Sequence, residues 1–189
     1  MMEAMREDDV LHDRVPWCES HGERRHACVH EAGHAIAAVD CGIPIVSLTV
    51  HHEPTTFDGA RPGETASGAV RIDVDTLAAL RAAGHQHNRD LFTFALAGEA
   101  AEKVILGHET PRGAARDVRE FWAWTKGQTF TSMDEYREVL GEPLEAALAR
   151  VASWAQRRAS HIDAVARLLG ELGSVTVREL TSIGEDWRI

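Results

Sequence analysis

The sharpest chemical signal in the chain is five residues long: His30-Glu31-Ala32-Gly33-His34, an HExxH pattern. Side chains four positions apart sit one turn apart on the same face of a helix, so both imidazoles can reach one zinc ion with Glu31 beside them. The chemistry implied by these residue types is hydrolysis. Zinc lowers the pKa of its water toward ~7 and polarises a scissile carbonyl, while the glutamate takes the water's proton and returns it to the leaving amine.

A catalytic zinc takes three protein ligands and keeps one position open. Asp40 follows His34 by six residues, a spacing that serves only if a glycine breaks the helix at position 37, and Ala37 stands there. In an unbroken helix six residues turn about 600°, which leaves Asp40 roughly 120° off the His34 face. Glu53 lies past a strand and in a loop rather than on an antiparallel helix, which also disfavours it. Two other carboxylates stand out. Glu102 falls on an apolar helical stripe, where it should meet a metal, an imidazole N–H or an arginine, or else form a buried salt bridge. Asp117 lies just inside a helical run, where by itself it is a carboxylate favoured by the helix dipole.

The elements that must carry these residues can be read from periodicity. Val29, Ala32, Gly33, Ile36 and Ala37 predict a helix over 23–40, stopped by Gly42 and Pro44. Val46, Leu48 and Val50, then Val70, Ile72 and Val74, alternate as two half-buried strands that should pair across a long loop over 51–64. A short helix is expected over 76–83. Leu91, Ala95, Gly98, Glu102 and Ile105 place a helix over 88–107, and a further run from Gly113 reaches Trp124. Ser132 with Glu135 forms a capping box for a short helix ending at Gly141, and Pro143 opens a long helix through Leu144, Leu148, Val151, Ala155, Ile162, Ala166 and Leu169. Thr176 and Glu179 cap a last helix. The fold class that results is mostly α (α+β), with a small sheet beside the HExxH helix and a helical C-terminal half. Residues 1–22 read as a weakly ordered arm ahead of a domain over 23–189.

Composition narrows the function classes. The chain has 189 residues, 44% hydrophobic and 26% charged, and 30 acidic against 20 basic residues give a net charge of -10. Such a chain repels phosphate backbones and anionic membrane surfaces, so nucleic acid is not an expected partner. Its longest apolar stretches, such as 35–39, fall far short of the roughly 20 residues of a membrane span, and 1–10 is acidic with no apolar signal core. A soluble, cytoplasmic protein is expected, with Cys18, Cys28 and Cys41 as reduced thiols. The only lysines, Lys103 and Lys126, lack the Gly-Lys-Ser/Thr context of a phosphate-cradling loop, so no Walker-type ATPase site is expected. Cys18, His21, His26 and Cys28 fit no standard structural-zinc spacing. His85 and His87 read as solvated loop residues, Phe121, Trp122 and Trp124 as core or interface aromatics, and the charges of 145–158 as a solvated helix face.

With HEAGHA at 30–35, AGEAAEKVILG at 97–107 and GAARDV at 113–118, the chain resembles the peptidase domain of the FtsH proteases, peptidase family M41. The order and approximate spacing match across about 160 residues, including the long C-terminal helix and the 176–183 ending. The resemblance implies zinc ligands at His30, His34 and Asp117, a general base at Glu31, and a role for Glu102 in supporting a ligand. It also implies a polypeptide substrate, with a separate AAA ATPase and a homo-oligomer as further candidate partners. The family's membrane anchor and ATPase are expected to be missing. Its usual Gly-Arg is Gly98-Glu99 here, and its Pro-Arg-Gly segment after the first strand is replaced by residues 50–63. The 66–74 strand is a candidate edge for pairing with substrate backbone, or else an ordinary paired strand. The rival function is a binding or regulatory module that keeps the metallopeptidase fold without turnover and acts with a separate ATPase.

Overall fold

The computed structural model describes residues 22–55, 66–73, 84–108, 111–126 and 133–180. The N-terminal arm up to residue 21, the helix expected over 76–83, and Ser132 all lie outside the described residues. The fold is mostly helical with one small antiparallel sheet. In chain order it runs α1 (Gly22–Cys41), β1 (Ile45–Thr55), β2 (Ala66–Ile72), α2 (His85–Leu106), α3 (Pro111–Lys126), α4 (Met133–Leu140), α5 (Leu144–Leu172) and β3 (Ser174–Val175). Among the described residues no helix is long and apolar enough to cross a membrane.

α1 is the centre of the molecule. Every residue from Glu31 to Ala38 is buried, so this helix has no solvent face through its middle and packs on α2, α5 and the sheet at once. Small residues make that density attainable. A Cβ on Gly33 would lie 2.4 Å from the Ala97 carbonyl oxygen and 2.7 Å from the Ala101 Cβ, so only glycine lets α1 and α2 approach this closely. α5 is tied to both ends of α1. Arg25 reaches Asp163 at 2.5 Å, while Asp40 accepts hydrogen bonds from Trp154 Nε1 and Arg158 Nε, each at 2.8 Å. Arg158 therefore bridges two helices, and Arg150 binds Glu142 and Thr93, so the charges of 145–158 are only in part the solvated face expected. Leu148 also departs from its place in the apolar stripe, being 46% exposed, because the buried face runs through Ala147 and Val151 instead.

The sheet has the order β2-β1-β3. Leu48 faces Val70 on one side and Val175 on the other, and its side chain is fully buried. Two sequence expectations change here, and one strand is new. β1 continues to Thr55, so residues 51–55 belong to the strand and not to the loop. Val46 is 60% exposed, because an irregularity in the pairing between Ile45 and Ser47 turns it out of the alternation. The third strand was not legible at all. It arises where α5 ends on Gly173, whose positive φ of 74° and backbone bond to Leu169 close the helix, and whose carbonyl accepts the Val50 N–H at 2.8 Å. The cap thus feeds the chain straight into pairing with β1. The Thr176–Glu179 capping box follows, with the Thr176 N–H donating to Glu179 Oε2 at 2.7 Å and the Glu179 N–H to Thr176 Oγ1 at 3.3 Å.

An aromatic cluster joins the remaining helices. Phe92 of α2 meets Phe121 of α3 edge to face at 5.2 Å, and Trp122 meets Tyr136 of α4 at 4.8 Å and donates its indole N–H to the Tyr136 hydroxyl. Phe121 and Trp122 are buried, as their residue types suggested. Phe121 lies one turn after Asp117, so anchoring the phenyl ring against α2 delivers the carboxylate toward α1.

Candidate metal centre

His30 and His34 project from the middle of α1, and Asp117 reaches them from α3. His30 Nε2 and His34 Nε2 lie 3.0 Å apart, and Asp117 Oδ2 lies 3.1 Å from the first and 3.3 Å from the second. These are the three residues among the described ones whose ligand atoms converge as a metal-holding group. The other ring nitrogens define what converges. His34 Nδ1–H donates to the Phe94 carbonyl at 2.7 Å, and His30 Nδ1–H donates to Glu102 Oε1 at 3.2 Å. A carbonyl and a carboxylate can only accept, so both imidazoles direct an Nε2 lone pair into the same volume as a carboxylate oxygen. Three acceptors this close repel one another unless a cation lies between them.

Without a metal, that cation is a proton. Burial opposes a charged His30, but its hydrogen bonds to Asp117 and Glu102 outweigh burial and hold its pKa well above the usual value. Burial likewise opposes ionisation of Asp117, yet the His34 charge and the bonds to His30 and His34 pull its carboxyl far below the usual range. Two imidazoles and one carboxylate suit a transition ion such as zinc, so the donor set fits the metal that the HExxH pattern implies.

Glu31 is buried beside this group, 8% exposed, and desolvation raises its pKa against the opposing pull of His30 and His34. Backbone passes close to it. A Cβ on Gly68 of β2 would lie 2.6 Å from Glu31 Cγ, so the strand comes nearer to the carboxylate than any side-chain-bearing residue would allow. Gly98 does the same on the other side, where a Cβ would fall 2.5 Å from the His30 ring. Glu102, 2% exposed, stands behind the cluster and accepts the His30 Nδ1–H, which orients that ring.

Of the other candidates, Asp40 is engaged by Trp154 and Arg158, away from the histidines. Glu53 lies in β1 and its side chain is outside the described residues. Cys18 and His21 are also outside them, while Cys28 is a buried free thiol and His26 turns to His108 instead. His87 corrects its loop reading. α2 begins at His85, three residues earlier than expected, which places His87 in the first turn and 6% exposed. His85 is exposed but held, its Nδ1–H donating to the Val139 carbonyl at 3.1 Å. The Phe94 carbonyl and Gly68 went unrecognised as site components, because a backbone acceptor and a strand glycine carry no residue-type signal for metal chemistry. No protein-family model matches the chain, and no curated protein matches it either.

Proposed function

We propose that this chain is a zinc-dependent metalloendopeptidase that hydrolyses peptide bonds in extended or unfolded protein segments, as the FtsH-type peptidases it resembles do. The observation that carries the reading is the convergence of three acceptors, His30 Nε2, His34 Nε2 and Asp117 Oδ2, around one point beside a buried glutamate. These three residues are the proposed zinc ligands. When bound, the zinc supplies Lewis acidity for activating water and polarising the scissile carbonyl. Glu31 serves as the general base, and its raised pKa suits a carboxylate that must accept a proton and then give it to the leaving amine. Glu102 and the Phe94 carbonyl hold the two imidazoles in the tautomers that leave Nε2 free for metal.

Substrate access follows from the sheet. Among the described residues β2 is an outer strand, and its Gly68 lies against Glu31. A polypeptide that adds to this edge through main-chain hydrogen bonds is carried past the base. Neither lysine sits in a nucleotide-binding loop, so unfolding of compact substrates falls to a separate AAA ATPase. The test is digestion of a casein-like unfolded protein before chelation, after chelation and after zinc is restored. Loss and recovery of cleavage are expected; cleavage indifferent to chelation, or none in any state, overturns the reading.

A further inference from the structure

A glycine inside a strand serves either a backbone conformation that other residues avoid or a space that a side chain cannot share. Gly42 and Gly173 show the first, with φ of 67° and 74°. Gly68 has no such φ, so its backbone accepts alanine, and a side chain there would ordinarily strengthen the strand. What excludes one is Glu31. The three heavy atoms nearest a Cβ at position 68 are Glu31 Cγ at 2.6 Å and Glu31 Cδ and Oε1 at 3.1 Å each. The pairing of β2 singles out the same residue. Val70 pairs with Leu48, Ala69 with Thr49 and Gly68 with Val50, and directly beyond Gly68 the register breaks, Ala66 being paired next with Thr55. Irregularities of this kind re-aim groups beside active sites, and here the regular ladder ends at the residue that touches the glutamate.

We propose that Gly68 is a positioning residue for the base: the bare β2 backbone is the wall that sets where the Glu31 carboxylate points. This deepens the metallopeptidase reading above and rests on it. Magnitudes decide which side yields when a methyl group is added at position 68. Carbon atoms in contact lie about 3.5–4.0 Å apart, so a separation of 2.6 Å obliges a retreat of about 1 Å. Gly68 is held in the ladder with β1, whereas Glu31 turns about single bonds, so the side chain moves and the strand stays. A misplacement of about 1 Å at a reacting group costs on the order of 100-fold in rate. Gly98 supplies the comparison. It too lacks a positive φ, and a Cβ there would lie 2.5 Å from His30 Cε1 and Nε2, so the same added methyl strikes a metal ligand instead of the base.

The experiment measures zinc affinity by titration, and kcat and KM on a casein-like unfolded protein, for the full chain as wild type, Gly68→Ala and Gly98→Ala. Gly68→Ala should bind zinc as wild type does and keep its KM while kcat falls by about 100-fold. Gly98→Ala should weaken zinc by about 10–100-fold. A Gly68→Ala chain that cleaves as fast as wild type, that loses zinc, or that changes KM alone overturns the positioning role. An idle, zinc-loaded wild type overturns instead the base role on which the proposal rests, so the two failures are told apart. Thermal melts guard against a variant that folds poorly. Glu31→Ala removes all three atoms that an added methyl meets, so the drop in Tm caused by Gly68→Ala should shrink when Glu31→Ala is also present. Strictly additive drops overturn the contact and the proposal with it.

Discussion

Glu31 and Asp117 border the same small volume, but their duties separate on substitution. Glu31→Gln removes a proton acceptor and no ligand, so zinc content should be unchanged while hydrolysis disappears. Asp117→Ala removes a ligand and should lower zinc affinity steeply, whereas Asp40→Ala should leave zinc in place and cost about 1–3 kcal/mol of stability, because it strips the partners of Trp154 and Arg158. Elemental analysis and thermal melts of the three variants check this. If Asp40→Ala loses the metal and Asp117→Ala keeps it, the ligand assignment is wrong. Glu102→Ala should weaken zinc by about 10–100-fold through His30, and more than Glu99→Ala, since Glu102 is the carboxylate that accepts the His30 Nδ1–H. Equal effects in a zinc titration would count against an orienting role. The histidine pair, Glu31 and the buried place of Glu102 were legible from sequence because helical phase alone sets them. Asp117 was not, since its role depends on where α3 packs, and only the likeness to a family pointed to it.

At the scale of elements, α3 carries Asp117 to α1 by burying Phe121 against Phe92. Phe121→Ala should therefore cost about 3–5 kcal/mol and weaken zinc binding although it touches no ligand. A variant that melts lower but binds zinc as wild type does would show that α3 is held by other contacts. The α1–α5 tie gives a pH dependence. Partial burial opposes the charged form of Asp163, but hydrogen bonds from Arg167 and Arg25 outweigh it and hold the carboxyl below its usual value. A depressed carboxylate stabilises the fold above the ordinary value of ~3.9 and loses that contribution as pH falls through its lower folded value. Asp163→Asn should accordingly flatten the acid side of the stability curve, and melts taken across that range would reveal an unchanged slope if the pair is idle. Helices were the legible elements, because apolar spacing and the stops at Gly42, Gly107 and Gly141 are local. β3 was hidden for the opposite reason: two residues long, it exists only because the Gly173 cap aims the chain at β1.

For the whole molecule, the proposed function places hydrolysis in this chain and unfolding in another. With no Gly-Lys-Ser/Thr loop at Lys103 or Lys126, the purified chain should cut unfolded proteins equally with and without ATP and spare a tightly folded domain, whose unfolding costs about 5–15 kcal/mol. ATP stimulation in the absence of any other protein would contradict that division. The central claim is narrower still, that a metal held by His30, His34 and Asp117 works with Glu31 as base. Its most direct test is to bring wild type and Glu31→Gln to the same measured zinc content and incubate each with a casein-like unfolded protein, following new peptide termini by mass spectrometry. Wild type should release peptides while the equally metal-loaded variant releases none above background; an idle wild type, or a variant that cleaves as fast as wild type, would contradict the account.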